Sequence, residues 1–165
     1  MLKTSELAMP KSRKVTTICN GRCEVWTDYE NPKNRGSCLI MDIGMLRNNT
    51  KFYDGFEGEE EITLSIVETP DINIHIWSGY FYDFVGKPAL DGNGWRGFTR
   101  DYNQMERSFG NEDYVITDVK EYLDDLLTYS NIKYDYTEIS ECYSLLCCFL
   151  EYALKYNYHI NVHVF

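Results

Sequence analysis

Two nearly identical hexapeptides, INIHIW at residues 72–77 and INVHVF at residues 160–165, constrain the fold of this chain most strongly. Each alternates aliphatic residues with polar or aromatic ones, and a period of two is typical of a half-buried β-strand. Residues two apart share a face of a strand, so the aliphatic side chains predict a core-facing side. The Asn, His and aromatic side chains then line the opposite side of the sheet.

The histidines of these twin strands raise the question of a catalytic or metal site. If the strands are neighbours and parallel, His75 and His163 come within about 5 Å laterally, and paired imidazoles can act as general acid and base. His159 and His163 lie about 13 Å apart along one strand and cannot chelate one ion. Neither hexapeptide contains Lys, Ser or a carboxylate. We interpret the histidines as sheet architecture and expect no catalytic residue and no metal ligand, with a small enzyme using the pair as an alternative.

Further segments predict strands of the same sheet. Asn20-Gly21, flanked by β-branched and aromatic residues, matches a type I′ turn and predicts a hairpin over residues 15–29. Residues 37–44 (SCLIMDIG) are mostly apolar, and residues 61–67 (EITLSIV) alternate with a period of two. Together with the twin strands, these segments predict a mainly antiparallel sheet of about six strands, the last of them at residues 160–165.

Helices are predicted mainly in the C-terminal third. A short helix is expected over residues 99–108, where apolar side chains fall on one face. A longer helix begins after Asp118, because Glu121 three positions later matches a capping box. The helix over residues 138–156 is apolar almost all round and is expected to be buried. Strands followed by two helices predict the α+β class.

Charge is distributed unevenly along the chain, whose net charge is −10. Residues 1–51 contain nine Lys and Arg against five Asp and Glu, whereas residues 52–165 contain seven against twenty-one. We expect a flexible basic arm over residues 1–14 and one domain over residues 15–165. An acidic domain repels phosphates, so no direct binding of nucleic acid or an anionic membrane is expected, and a basic protein is the complementary partner.

Acidic and tyrosine side chains are the candidate partner-binding residues. They lie before the strand at residues 61–67, on the predicted exposed side of the helix after Asp118, and in the segment that follows this helix. Tyrosine suits an interface because it supplies contact area at low entropic cost. A solvated acidic face without a partner is the alternative. The candidates are Glu57, Glu59, Glu60, Glu121, Asp124, Asp125, Tyr129 and Tyr134.

Cofactor and targeting signals are weak throughout the sequence. None of the six cysteines forms a CxxC pair, so a structural zinc site is not expected. The stretch DGNGWRGF contains the letters GxGxxG but lacks the preceding strand of a dinucleotide-binding motif. The basic N-terminus has no apolar h-region, and no apolar run reaches 18 residues. We therefore expect no cofactor, no membrane span, reduced thiols and a cytoplasmic location.

A family resemblance is carried by the C-terminal third. EYLDDLLTY followed by ECYSLLCCFLEYALKYNYHINVHV resembles the closing helix–helix–strand of small acidic bacterial immunity proteins. These proteins neutralise the toxins of contact-dependent inhibition and related polymorphic toxin systems. The resemblance implies a cytoplasmic binding protein that occludes or distorts the active site of a toxin. No functional residue is carried over by position.

The sequence thus leads to the expectation of a non-catalytic, protein-binding inhibitor. In this interpretation it is an immunity protein whose acidic surface occludes the active site of a basic toxin, such as a nuclease. A second interpretation is an anti-defence protein of a mobile element, whose carboxylates mimic nucleic-acid phosphates to inhibit a host nuclease. The basic N-terminal third disfavours such a mimic, because a mimic requires dense, regularly spaced acidic groups over a long surface.

Overall fold

A five-stranded sheet organises the described part of the chain, residues 42–85, 94–105 and 113–165 of a computed structural model. The spatial order of the strands is β1-β3-β2-β5-β4. β1 runs parallel to β3, and the other neighbouring pairs are antiparallel. The strands are β1 (Asn49–Phe52), β2 (Glu61–Ile66), β3 (Thr69–Trp77), β4 (Tyr114–Ile116) and β5 (Ile160–Val164).

The twin strands β3 and β5 lie on opposite sides of β2 and are not neighbours. Both are antiparallel to β2, so they are parallel to each other, and Thr63 of β2 is opposite both His75 and His163. Two strand spacings, about 10 Å, therefore separate the histidine positions. Because β3 and β5 are not neighbours, the imidazoles of His75 and His163 do not come within the lateral distance of about 5 Å expected for adjacent strands.

Four α-helices accompany the sheet, and the α+β class is confirmed. They contribute buried residues to one core together with the aliphatic side chains of β2, β3 and β5, as the alternation predicts. Leu146, Phe149 and Leu150 of the longest helix are fully buried, and each such side chain contributes about 1.5–3 kcal/mol through burial. The helices are α1 (Ser78–Val85), α2 (Gly97–Gln104), α3 (Val119–Leu127) and α4 (Thr137–Tyr156).

Side-chain and backbone caps define one end of each C-terminal helix, and the cap at Asp118 was predicted. The Asp118 side chain accepts the backbone N–H of Glu121 at 3.1 Å, which satisfies a free amide at the start of α3. α4 ends at Asn157, whose φ of 55° is the left-handed conformation that terminates many helices. Asparagine adopts this conformation more readily than most residues.

Some predicted elements differ from the structure or lie outside its described residues. The helix expected over residues 99–108 is α2, which begins two residues earlier, at Gly97. β1, β4 and α1 were not predicted. The basic arm, the 15–29 hairpin and residues 37–41 of the strand expected over residues 37–44 lie outside the described residues. The described end of that expected strand is wrong, because Ile43–Leu46 form a 3-10 helix capped by Asp42. Within the described ranges, no helix combines the length and the apolar character needed to cross a membrane.

Candidate functional site

Asp125 caps a neighbouring helix instead of facing solvent. The residue is 3% exposed, and its carboxylate accepts the backbone N–H of Thr99, in the first turn of α2, at 2.9 Å. Gly97 allows this approach, because a Cβ at that position would lie 2.8 Å from the Cβ of Asp125. Burial raises the pKa of Asp125 to about 6, against the opposing effect of the Thr99 hydrogen bond. The prediction that Asp125 lies on an exposed helix face is wrong.

Glu121 belongs to a polar network between α2 and α3. Arg100 donates to Glu121 at 2.6 Å and to the Asp101 carboxylate at 3.1 Å. The hydroxyl of Tyr122 donates to Asp101 at 2.5 Å, and burial raises the pKa of this tyrosine. On the remaining face of α3, Asp124 pairs with Lys120. The acidic residues of α3 are therefore committed to partners within the fold.

Tyr129 and Tyr134 contribute to packing rather than to an open surface. Tyr129 is 1% exposed, and its hydroxyl shares a 2.5 Å hydrogen bond with that of Thr99. The half-buried ring of Tyr134 packs against Phe84 and Tyr143, with centroids 6.4 and 6.0 Å away. The prediction of Tyr129 as a contact residue is wrong, because the turn after α3 folds this ring inward.

The glutamate run before β2 forms a folded segment, residues 53–60, that we call the acidic loop. The hydroxyl of Tyr53 donates to the carbonyl of Glu59 at 3.2 Å. The Glu57 carboxylate accepts the N–H of Gly55 at 3.0 Å, which lowers the pKa of Glu57. The loop conformation is therefore fixed by contacts within the loop itself.

Phe56 attaches the acidic loop to the sheet. Its ring stacks on Trp77 with centroids 4.1 Å apart and planes 4° from parallel. Tyr80 of α1 meets both rings edge-on, at 5.5 Å from Phe56 and 5.3 Å from Trp77. Aromatic pairs of this kind contribute about 0.5–1.5 kcal/mol beyond their buried area. The loop thus has a rigid aromatic base.

Three carboxylates of the acidic loop are exposed and without a cationic partner. Asp54, Glu57 and Glu59 form no salt bridge with any Lys or Arg of the described residues. The fourth acid, Glu60, is half-buried and accepts the hydroxyl of Tyr82 at 2.9 Å. The structure therefore retains Glu57 and Glu59 as accessible candidates and adds Asp54. Sequence reasoning missed Asp54 because it stands apart from the glutamate run.

His75 is occupied at both ring nitrogens. Its Nδ1 contacts the Glu61 carboxylate and lies 3.2 Å from the Thr63 hydroxyl, and its Nε2 lies 3.0 Å from the side-chain oxygen of Asn73. The contacts with Glu61 and Thr63 join β2 to β3.

Each of the other histidines also pairs with a carboxylate from elsewhere in the chain. His159 binds Glu68 at 2.7 Å, which lowers the pKa of Glu68, and His163 pairs with Asp113. The hexapeptides alone contain no carboxylate, so these pairs could not be recognised from them. Among the described residues, no group of three or more His, Cys, Asp and Glu side chains is placed to hold a metal ion.

Comparisons of this chain with protein-family models, with curated proteins and with solved structures find no match. The acidic loop is consequently interpreted from its own geometry and charge.

Proposed function

We propose that this protein is a non-catalytic inhibitor that binds a basic protein partner through the acidic loop. The observation that carries the proposal is a set of three exposed carboxylates that form no salt bridge among the described residues. They lie on a loop fixed by its own hydrogen bonds and by the Phe56–Trp77 stack. A preorganised loop loses little conformational freedom on binding. Its carboxylates also steer a cationic surface towards it.

The proposed partner is a toxin, and specifically a nuclease. An enzyme that acts on nucleic acid must bind phosphates, so its active site is surrounded by Lys and Arg side chains. An acidic protein surface competes for those side chains and occludes the site without any chemistry of its own. The resemblance of the C-terminal third to immunity proteins supports the same function, and with it a cytoplasmic location.

Affinity capture with two charge-matched variants tests the proposal. Glu57→Lys/Glu59→Lys reverses the exposed acids of the loop, and Asp124→Lys/Asp135→Lys makes the same net change at exposed or half-buried positions elsewhere. The parent protein and the second variant should each capture the same basic protein from the native host. The loop variant should retain about tenfold less, which corresponds to about 1.4 kcal/mol.

Co-expression then tests inhibition itself. The captured protein should arrest growth when it is expressed alone, and the parent chain should restore growth and block its nuclease activity in solution. Capture of an acidic protein, or equal retention by both variants, would show that the acidic loop is a solvated surface. Restored growth with undiminished nuclease activity would exclude occlusion of the active site.

A further inference from the structure

The side of the sheet opposite the core presents three matched rows, which we call the open face. One row has Thr63 between two histidines, the next has Ser65 between two asparagines, and the third has Glu61 between two aromatic residues. Val115 of β4 extends the asparagine row, since it pairs with Asn161. The side chains of the open face are Glu61, Thr63, Ser65, Asn73, His75, Trp77, Val115, Asn161, His163 and Phe165.

Accessibility differs between the two halves of the open face. On the β3 side, Asn73 is buried and Trp77 is covered by Phe56. On the other side, Phe165 is 69% exposed and Val115 is 51% exposed. Thr63 of β2, opposite His163, and Asn161 of β5, opposite Val115, are half-buried. Exposed apolar side chains set among hydroxyls and amides are the composition of a protein–protein interface.

The accessible half is continuous with the acidic loop. Phe165 exchanges two backbone hydrogen bonds with Glu61, of 3.0 and 3.3 Å, and Glu61 directly follows the loop. Asp113 adds a carboxylate beside His163 at the β4 edge. Among the described residues, the outward positions of β2, β4 and β5 carry no Lys or Arg. The charge on this surface therefore complements a cationic ligand.

We propose that the open face at β5 and β4, with Phe165 as its aromatic anchor, binds an extended cationic segment of the partner protein. The inference rests on the proposed function, because the same partner contacts the acidic loop. Lysine or arginine side chains of the segment reach the loop carboxylates and Asp113. Its apolar and hydroxyl side chains lie on Phe165, Val115 and Thr63.

A peptide titration followed by amide NMR tests this placement. The probe is a peptide of alternating lysine and threonine added to the ¹⁵N-labelled full chain at about 50 mM salt, where screening is weak. A peptide of alternating glutamate and threonine is the control. The inference expects shifts at Thr63, Asn161 and Phe165 together with shifts in the acidic loop, and none with the control peptide.

The location of the shifts separates the two proposals. Shifts confined to the acidic loop would overturn the open-face inference and leave the proposed function standing. An absence of peptide binding would overturn both the open-face inference and the proposed function. Equal shifts with the glutamate peptide would do the same, because both proposals depend on the attraction of a cationic ligand.

Variants of exposed residues give a second, independent measurement with the lysine–threonine peptide. Phe165→Ser should weaken peptide binding about fivefold or more, about 1 kcal/mol, whereas the matched Leu154→Ser, remote on α4, should change it less than twofold. Val115→Lys should weaken binding by charge repulsion, with Val67→Lys in the β2–β3 turn as its control. Peptide binding that is unchanged in Phe165→Ser and Val115→Lys but weakened in Glu57→Lys/Glu59→Lys would reject the open-face inference. The proposed function of the acidic loop would still stand.

Discussion

Asp125 shows how the surroundings of one carboxylate determine what it contributes. From the helical pattern alone, it belongs with Glu121 and Asp124 on the polar side of α3. In the fold it accepts the Thr99 amide of α2 and is almost completely enclosed. An acid in this position serves as a hydrogen-bond acceptor for another helix, and its negative charge is an energetic cost at neutral pH.

The pH dependence of stability provides a test of this assignment. The pKa of about 6 in the folded state lies above the ordinary value of 3.8. Ionised Asp125 therefore lowers stability at neutral pH, and this loss is recovered as the pH falls through about 6 towards 3.8. Asp125→Asn keeps an acceptor oxygen without the charge. We expect it to be more stable than the parent at pH 7 by up to about 3 kcal/mol, and the difference to vanish near pH 4.

Urea denaturation of both proteins between pH 4 and 7.5 measures this difference, because other titrating groups affect parent and variant alike. The matched Asp124→Asn, at a half-buried position of the same helix, controls for the Asp-to-Asn substitution itself. A constant difference between Asp125→Asn and the parent at every pH would contradict the assignment of a raised pKa.

Gly97 is the second residue whose role depends on a neighbour. Its φ of +53° is unfavourable for other residues, and a Cβ there would lie 3.0 Å from the Cα of Tyr122. Gly94 is a matched control, because its φ is +84° and nothing lies within 4 Å of a Cβ. Both alanine variants should lose about 1 kcal/mol from backbone strain. Gly97→Ala should lose at least about 1 kcal/mol more by thermal or urea denaturation, and equal losses would show that α2 shifts freely away from α3.

At the scale of whole elements, a strand or helix could be predicted from the sequence where its hydrophobic period repeats over many residues. β2, β3, β5, α3 and α4 were predicted as elements, and the buried faces of the three strands agree with the alternation. On α3 the buried Asp125 departs from the predicted polar side. β1 and β4 have only four and three residues, and their pairing with distant strands defines them. α1 directly continues β3 with a sequence that is half aromatic, SGYFYDFV, so no change of period marks its start.

The candidate site was predicted less completely than the fold, for a related reason. Charge and composition identified Glu57 and Glu59, because a run of acids before a strand is visible in the sequence. The exclusion of Asp125 and Tyr129 depends on α2 packing against α3. That contact joins residues about 26–30 positions apart through the backbone and hydroxyl of Thr99. No local pattern contains this information.

α4 contributes more buried residues to the core than any other helix of the described ranges. Leu146 is fully buried, whereas Leu154, two turns further on, is 42% exposed. Leu146→Ala should lower the free energy of unfolding by about 2–5 kcal/mol, through lost burial and the cavity that remains. Leu154→Ala should cost less than about 1 kcal/mol. Similar losses for both variants in urea denaturation would show that α4 is rotated about its axis relative to this structure.

For the molecule as a whole, net charge governs how fast a partner arrives more than how tightly it is held. With a net charge of −10, association with a basic partner should slow as salt is raised, because charges are screened beyond about 8 Å at physiological ionic strength. Glu57→Lys/Glu59→Lys should flatten this salt dependence in stopped-flow or surface-binding measurements, while the melting temperature falls by no more than the loss of one exposed hydrogen bond, from Gly55 to Glu57, can cause. If the association rate of the parent protein does not change with salt, electrostatic steering does not contribute to binding of the partner.

The place of β2 in the sheet has a consequence for synthesis. β2 and β3 form a hairpin across a two-residue turn, but the other edge of β2 pairs with β5, where Ile66 meets Ile160. During synthesis, about ninety further residues must be added after β2 before β5 is available to pair with that edge. The unpaired backbone groups of this edge, next to the apolar side chains of Ile62, Leu64 and Ile66, can form hydrogen bonds with another nascent chain. Chaperone dependence and inclusion-body formation should therefore respond most to changes that delay or weaken β5.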